Sequence, residues 1–120
     1  MADRVQMQQV LLNLTMNAVE AMSSITHRER VLTVRSEEFE SDHVLITLQD
    51  TGSGIDPIHM DRIFDAFFTT KDRGMGMGLS ICRSIIESHG GQLWASPNNP
   101  HGTNFHVKLP RVPSDKSLDV

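Results

Sequence analysis

An aspartate followed by two glycines stands directly after a β-rich segment of the sequence. The stretch Asp50-Thr51-Gly52-Ser53-Gly54 places a carboxylate at a strand end and glycines where a flat ligand or another backbone can come close. A buried carboxylate accepts a hydrogen bond from an exocyclic amine and discriminates against a ring that lacks one. Asp50, Gly52 and Gly54 are therefore candidates for binding the edge of a base, and an ordinary Asp-Gly turn is the alternative.

A second glycine-rich stretch, Gly74-Met75-Gly76-Met77-Gly78-Leu79-Ser80, opens a predicted helix. Free backbone N–H groups and the positive end of the helix dipole converge there, which favours an anion. Lys71, just upstream, could reach a terminal phosphate as a point charge. The spacing is that of neither a Walker loop nor a dinucleotide fingerprint. A flexible linker and a solubilising lysine are the alternatives.

Two asparagines, Asn13 and Asn17, lie four residues apart in a predicted helix. This spacing puts them about 40° apart around the helix, at the edge of its apolar stripe. Asparagine is a poor helix former, so the pair gains nothing from helix propensity and suggests a role in holding a metal ion or a phosphate. A pair of solvated amides is the alternative.

Hydrophobic periodicity predicts the elements that must position these residues. Apolar residues at i, i+3, i+4 and i+7 predict a helix, alternation predicts a strand, and Gly90-Gly91 ends the second long helix. The predicted elements are a helix over 7–22, strands over 31–36 and 43–50, a short helix over 58–64, a helix over 79–89, and strands over 92–96 and 103–109. Their order predicts an α+β fold, a two-layer sandwich in which helices cover one face of a mixed, mostly antiparallel sheet.

Length and charge restrict the class of protein. The chain has 120 residues, 38% of them hydrophobic, so we expect one domain over 1–110 and a disordered tail over 111–120. A net charge of −4 with a pI near 5.8 argues against nucleic acid and an anionic membrane as partners. The single cysteine excludes an internal disulfide. Without an apolar run of about 20 residues, the chain is expected to be cytoplasmic and to make no direct membrane contact, although its parent could be membrane-anchored.

Together, these segments resemble the ATP-binding domain of histidine kinases, which has the Bergerat fold and is related to type II topoisomerase ATPases. The resemblance covers about residues 3–110, and the phrases 67–71 and 78–83 are most similar to oxygen-sensing and nitrogen-regulatory kinases. Segment 9–18 resembles the family's asparagine box, 50–54 and 74–78 its two glycine boxes, 64–68 its phenylalanine box, and 102–105 its Gly-Thr box.

The resemblance implies ATP and Mg²⁺ as cofactors. It implies that Asn17 coordinates Mg²⁺, that Asn13 assists at the metal or the γ-phosphate, and that Asp50 accepts the adenine amino group. Gly52 and Gly54 would let the ring approach, and Thr103 would support it. It also implies contacts with the phosphates. The backbone N–H groups of Gly74, Gly76 and Gly78 would bind phosphate oxygens, the adjoining Leu79 would belong to the same nucleotide site, and Lys71 would lie near the terminal phosphate.

The same resemblance implies a kinase that passes the γ-phosphoryl group to a histidine on a separate dimerisation domain, and indirectly to a response regulator. None of the six histidines has the family's phosphoacceptor context, so this chain alone should bind ATP without autophosphorylating. The family usually has a strand just before the asparagine-box helix, which would lie ahead of this sequence. The alternatives are a non-catalytic nucleotide-binding scaffold and a topoisomerase-like ATPase, although the amide of Asn13 cannot act as a base.

Overall fold

The computed structural model describes residues 4–40, 42–56, 58–60, 62–65 and 78–110. In this part of the chain, two helices and four strands follow one another in the predicted order, with bounds within three residues of those expected from periodicity. They are α1 (Arg4–Met22), β1 (Leu32–Phe39), β2 (His43–Asp50), α2 (Gly78–Ser88), β3 (Gln92–Pro97) and β4 (Thr103–Pro110). The predicted tail over 111–120 lies outside the described residues.

The four strands form one sheet in the order β1-β2-β4-β3. All three pairings are antiparallel, so the α+β prediction is confirmed, and no parallel pair occurs among the described strands. Gln49 pairs with Asn104 in the central β2–β4 ladder. This register brings Asp50, the last residue of β2, beside the first residue of β4.

Both helices pack through one stripe each. In α1, Val10, Leu14 and Ala18 are at most 1% exposed, and their spacing of four residues is that of a buried helical face. In α2, Cys82 and Ile86 are fully buried in the same way. Except for Ala18, these side chains share one core with Leu48, Leu93, Phe105 and Val107 of the sheet. The core is therefore the layer between the helices and one sheet face.

Gly90 and Gly91 end α2 as predicted. Gly90 has φ of 79°, its N–H donates to the carbonyl of Glu87, and the N–H of Gly91 donates to the carbonyl of Ile86. This pair of bonds is the Schellman arrangement, which satisfies two of the last carbonyls of the helix. Gly91 lies just before β3, where a Cβ would overlap the carbonyl oxygen of Lys108.

The short helix predicted over 58–64 is wrong for the residues that the structure describes there. His59, Arg62 and Asp65 each donate a backbone N–H to the carbonyl three residues earlier, and the chain forms successive turns rather than an α-helix. Starting a helix costs conformational entropy, and a helix of seven residues forms too few backbone hydrogen bonds to offset that cost. The segment is held instead by tertiary packing, since Ile63 and Phe64 are buried in the core.

Candidate functional site

The site is centred on Asp50, whose residue surface is only 1% exposed. Its Oδ1 accepts two backbone hydrogen bonds, from the N–H of Gly52 at 2.9 Å and from the N–H of Thr103 at 3.2 Å. Its Oδ2 makes no hydrogen bond to any described residue. One oxygen therefore fixes the carboxylate, and the other stays available to a donor from a ligand.

The environment of Asp50 also changes its acidity. Burial raises the pKa of the Asp50 carboxyl above its ordinary value, and the hydrogen bonds from Gly52 and Thr103 act in the opposite direction. Oδ2 is not fully buried and can reach solvent. A ligand N–H group can replace solvent at Oδ2, whereas a ligand group that cannot donate would leave the carboxylate oxygen without a partner, which is how such a carboxylate selects a base with an exocyclic amine.

The glycines around Asp50 are required by backbone contacts. A Cβ on Gly52 would lie 2.6 Å from the carbonyl oxygen of Ala21 in α1, and a Cβ on Gly102 would overlap the carbonyl oxygen of Asp50. Gly54 and Gly102 have φ values of 83° and 101°, which favour glycine. Gly102 was not predicted as a site residue, although its place just before Thr103 was a usable signal.

Thr103 is 2% exposed and contributes its backbone N–H to the position of Asp50. The segment before it is bound to the same strand end, because Asn98 donates its side-chain Nδ2–H to the carbonyl of Asp50 at 2.8 Å. The backbone N–H of Asn98 donates to the carbonyl of Gly102 at 3.0 Å. The loop between β3 and β4 thus forms one wall of the site.

A second wall comes from the segment between α1 and β1. Arg28 donates from Nη2 to the carbonyl oxygens of Thr51 at 3.0 Å and Gly52 at 2.9 Å. The hydroxyl of Thr51 donates to the carbonyl of Glu29 and accepts the N–H of Val31. Neither Arg28 nor Asn98 was predicted, because a contact across 23 or 48 residues leaves no local pattern.

The two asparagines of α1 are half-buried at the edge of the helix, beside the buried Leu14 and Ala18. Burial raises the pKa of the Cys82 thiol in α2, and the side chain of Asn13 is close enough to act in the opposite direction. The edge of α1 that carries Asn13 therefore faces α2. No described contact joins Asn13 or Asn17 to Asp50.

Of the other residues predicted for the site, some lie in the described part of the chain and some lie outside it. Gly78 is the first residue of α2, is exposed, and could carry a Cβ without a contact within 4 Å. The half-buried Leu79 packs against the core. Phe64 packs edge-to-face on Phe105, with ring centroids 6.4 Å apart. The remaining candidates, Lys71, Gly74, Gly76, Phe67 and Phe68, lie outside the described residues.

The fold and the site define the class of protein. The model of the histidine kinase-, DNA gyrase B- and HSP90-like ATPase family matches residues 2–113, and the chain belongs to this family. It is an ATP-binding catalytic domain of the sensor histidine kinase type. Sensor protein FixL of Bradyrhizobium diazoefficiens is 50% identical over 110 residues, which make up 92% of this chain and 21% of FixL. The chain therefore spans about a fifth of that relative.

Solved structures of histidine kinases are similar to this chain and agree with its assignment to the family. Full-length ShkA in complex with AMPPNP is 26% identical, with a TM-score of 0.77 over 90% of this chain and 22% of that chain. Histidine kinase ThkA in complex with response regulator protein TrrA is 37% identical, with a TM-score of 0.73 over 94% of this chain and 30% of that chain. Both share the fold described above. Neither helix in the described residues has the length and apolarity that a bilayer crossing requires.

Proposed function

We propose that this domain binds Mg²⁺-ATP and supplies the γ-phosphoryl group to a histidine on a separate dimerisation domain of its parent kinase. The observation that carries the proposal is the geometry of Asp50: buried, held through Oδ1 by two backbone N–H groups, and open at Oδ2. The adenine amino group is the donor that suits Oδ2. Gly52 and Gly54 are proposed to let the adenine ring approach this carboxylate.

Asn17 and Asn13 are proposed to serve the phosphates and the metal ion. The described residues contain no group of three or more histidine, cysteine or acidic side chains that could hold a metal ion. Mg²⁺ normally takes only one or two protein ligands when substrate phosphates supply the others, so a half-buried amide on α1 fits such a site. The metal ion would neutralise charge that develops on the phosphates during transfer.

The phosphate chain is proposed to lie between Asn13 and the amino-terminal end of α2. Gly78 begins that helix, where backbone N–H groups have no partner within the helix. Gly74 and Gly76 would add N–H donors, Lys71 would add a charge near the terminal phosphate, and Leu79 would anchor the helix end to the core. In this proposal the chain acts by holding and orienting, which is most of what phosphoryl transfer asks of a protein.

The histidine acceptor and the response regulator are partners of the whole kinase, and the domain itself is proposed to be cytoplasmic. The ThkA–TrrA complex supports a regulator as the indirect partner. Of the alternatives, rapid ATP hydrolysis is disfavoured because Asn13 offers an amide where a general base would be needed. A non-catalytic scaffold would keep Asp50 and bind nucleotide without transferring phosphate.

Two measurements test the proposal. Calorimetric titration of Mg²⁺-ATP and Mg²⁺-GTP into the wild-type domain and Asp50→Ala should give saturable ATP binding, weaker GTP binding, and loss of ATP binding in the variant.

The domain is then mixed with γ-labelled ATP and a histidine-bearing dimerisation domain of a FixL-type kinase. Labelling that Asn17→Ala abolishes supports a kinase. Tight ATP binding with no label transferred, even to the parent's own dimerisation domain, would support the scaffold instead.

A further inference from the structure

Three consecutive carbonyl groups of the site loop accept hydrogen bonds from side chains of other loops. The oxygen of Asp50 accepts from Asn98 at 2.8 Å. The oxygens of Thr51 and Gly52 both accept from Nη2 of Arg28, at 3.0 and 2.9 Å. The loop that carries the carboxylate is therefore held from two sides, and Arg28 supplies two of the three bonds.

The bonds of Arg28 are connected to Asp50 through a single peptide unit. The carbonyl of Thr51 and the N–H of Gly52 belong to the same planar peptide group, so fixing the oxygen fixes the direction of the N–H. That N–H is the 2.9 Å donor to Oδ1 of Asp50. A hydrogen bond to a cation also polarises the peptide and strengthens its N–H as a donor. Arg28 thus acts on the carboxylate without touching it.

The second donor to Oδ1 is arranged in the same way. The N–H of Thr103 shares a peptide unit with the carbonyl of Gly102, which accepts the backbone N–H of Asn98 at 3.0 Å. Any residue other than proline at position 98 could supply that backbone bond. The bond to the Thr51 carbonyl, in contrast, depends on the side chain of Arg28.

The position of Arg28 in the site loop is unfavourable for its guanidinium group. It is half-buried, and its Nε is buried with no hydrogen-bond partner among the described residues. Partial burial of an incompletely bonded guanidinium is unfavourable unless its other bonds compensate. Arg30, two residues later, is exposed. The two arginines of one loop therefore differ in burial, and the half-buried Arg28 is bonded to the site.

We propose that Arg28 is a specificity-determining positioning residue. Through the Thr51–Gly52 peptide it holds Oδ1 of Asp50, so that Oδ2 is presented to the amino group of adenine. This inference rests on the adenine-binding role proposed for Asp50. It predicts that loss of Arg28 weakens discrimination between bases more than it weakens binding of the triphosphate.

The test compares ATP with inosine triphosphate, in which a carbonyl oxygen replaces the amino group. Dissociation constants for both, with Mg²⁺, are measured by calorimetry for the wild-type domain, Arg28→Gln, Arg28→Lys and the control Arg30→Gln. We expect Arg28→Gln to lower the ITP-to-ATP ratio of dissociation constants about tenfold, the lower end of the range for a hydrogen bond to a charged group. Arg30→Gln should keep the wild-type ratio.

Arg28→Lys keeps the charge but is one bond shorter and lacks the planar guanidinium, so its ratio should lie between those of Arg28→Gln and the wild type. A loss of stability alone would lower the melting temperature and the fraction of active protein without changing the ratio. An unchanged ratio in folded Arg28→Gln overturns the proposal. If that variant does not fold, a wild-type ratio in Arg28→Lys overturns it.

Failure of the adenine-binding role of Asp50 would give a different result from failure of the role of Arg28 alone. A wild-type domain that binds ATP and ITP equally, or an Asp50→Ala variant that still prefers ATP, would remove the adenine role of Asp50 and the role of Arg28 with it. Discrimination that disappears in Asp50→Ala and persists in Arg28→Gln would overturn the role of Arg28 alone.

Discussion

Asp50→Asn replaces the buried carboxylate by an amide of nearly the same shape. The amide oxygen can still accept the N–H groups of Gly52 and Thr103, which both bind Oδ1 in the wild-type site. The amide nitrogen then occupies the position of Oδ2, so a donor replaces the acceptor. The substitution therefore alters hydrogen bonding to a ligand while it leaves the packing of the site in place.

The expected effect on ATP follows from that exchange. A hydrogen bond to a charged group contributes about 1.5–3 kcal/mol, so its loss should weaken ATP binding about 10- to 150-fold at about 1.4 kcal/mol per factor of ten. Inosine triphosphate presents a carbonyl oxygen to the new donor and should lose much less affinity. The preference for adenine should therefore fall, and calorimetry with both nucleotides measures it.

Stability should change in the other direction. A carboxyl whose pKa is raised in the folded state binds its proton more tightly there than in the unfolded chain, so its ionised form at neutral pH destabilises the fold. Asp50→Asn removes that ionisation and should melt at the same temperature as the wild type or higher. Asp65→Asn is the control, since Asp65 is exposed. Unchanged ATP affinity in a folded Asp50→Asn domain would refute the assignment of Oδ2.

Three further predictions concern the fold around the site. Gly102→Ala should lower the melting temperature and abolish ATP binding, because the new Cβ would overlap the carbonyl of Asp50. The control Gly78→Ala has open space at its Cβ and should leave the melting temperature unchanged or raise it. Burial lowers the pKa of His106 in the folded state, so the unfolded chain takes up the proton first as the pH falls. Stability should therefore decrease as pH drops below about 6.5. In urea titrations across pH, His106→Gln should show a smaller decrease. Cys82 is fully buried, so its thiol should react with a disulfide reagent no faster than the domain opens, and saturating Mg²⁺-ATP should slow the reaction; fast, ATP-independent labelling would contradict both.

The sequence predicted the parts of the molecule that depend on local periodicity. The repeat of Val10, Leu14 and Ala18 predicted α1 and its buried face, and alternation in 43–50 predicted β2. It also identified Asp50 as the residue at a strand end with glycines beyond it. These signals are readable because each arises within one element.

What the sequence did not predict depends on contacts between distant segments. Gly52 was explained by the approach of a ligand, whereas its Cα also packs on the carbonyl of Ala21 at the end of α1. Arg28 and Asn98 stood in polar loops, where an arginine or an asparagine carries no signal by itself. A helix was predicted over 58–64 because composition alone does not reveal that the backbone N–H groups of His59, Arg62 and Asp65 bond to the carbonyl three residues earlier.

The convergence of distant segments on Asp50 has a consequence for how the chain folds. The bonds between Asp50 and the segment 98–103 close chain separations of 48 and 53 residues, and long closures form late because their loop entropy must be overcome first. The pocket is thus complete only when the sheet is complete, and a nucleotide that needs it binds the native state alone. By mass action, ligand at about 100 times its dissociation constant adds about 2.7 kcal/mol to stability. The nucleotide would then act as a reporter of complete folding, and the lifetime of the folded domain would follow the ATP concentration around it.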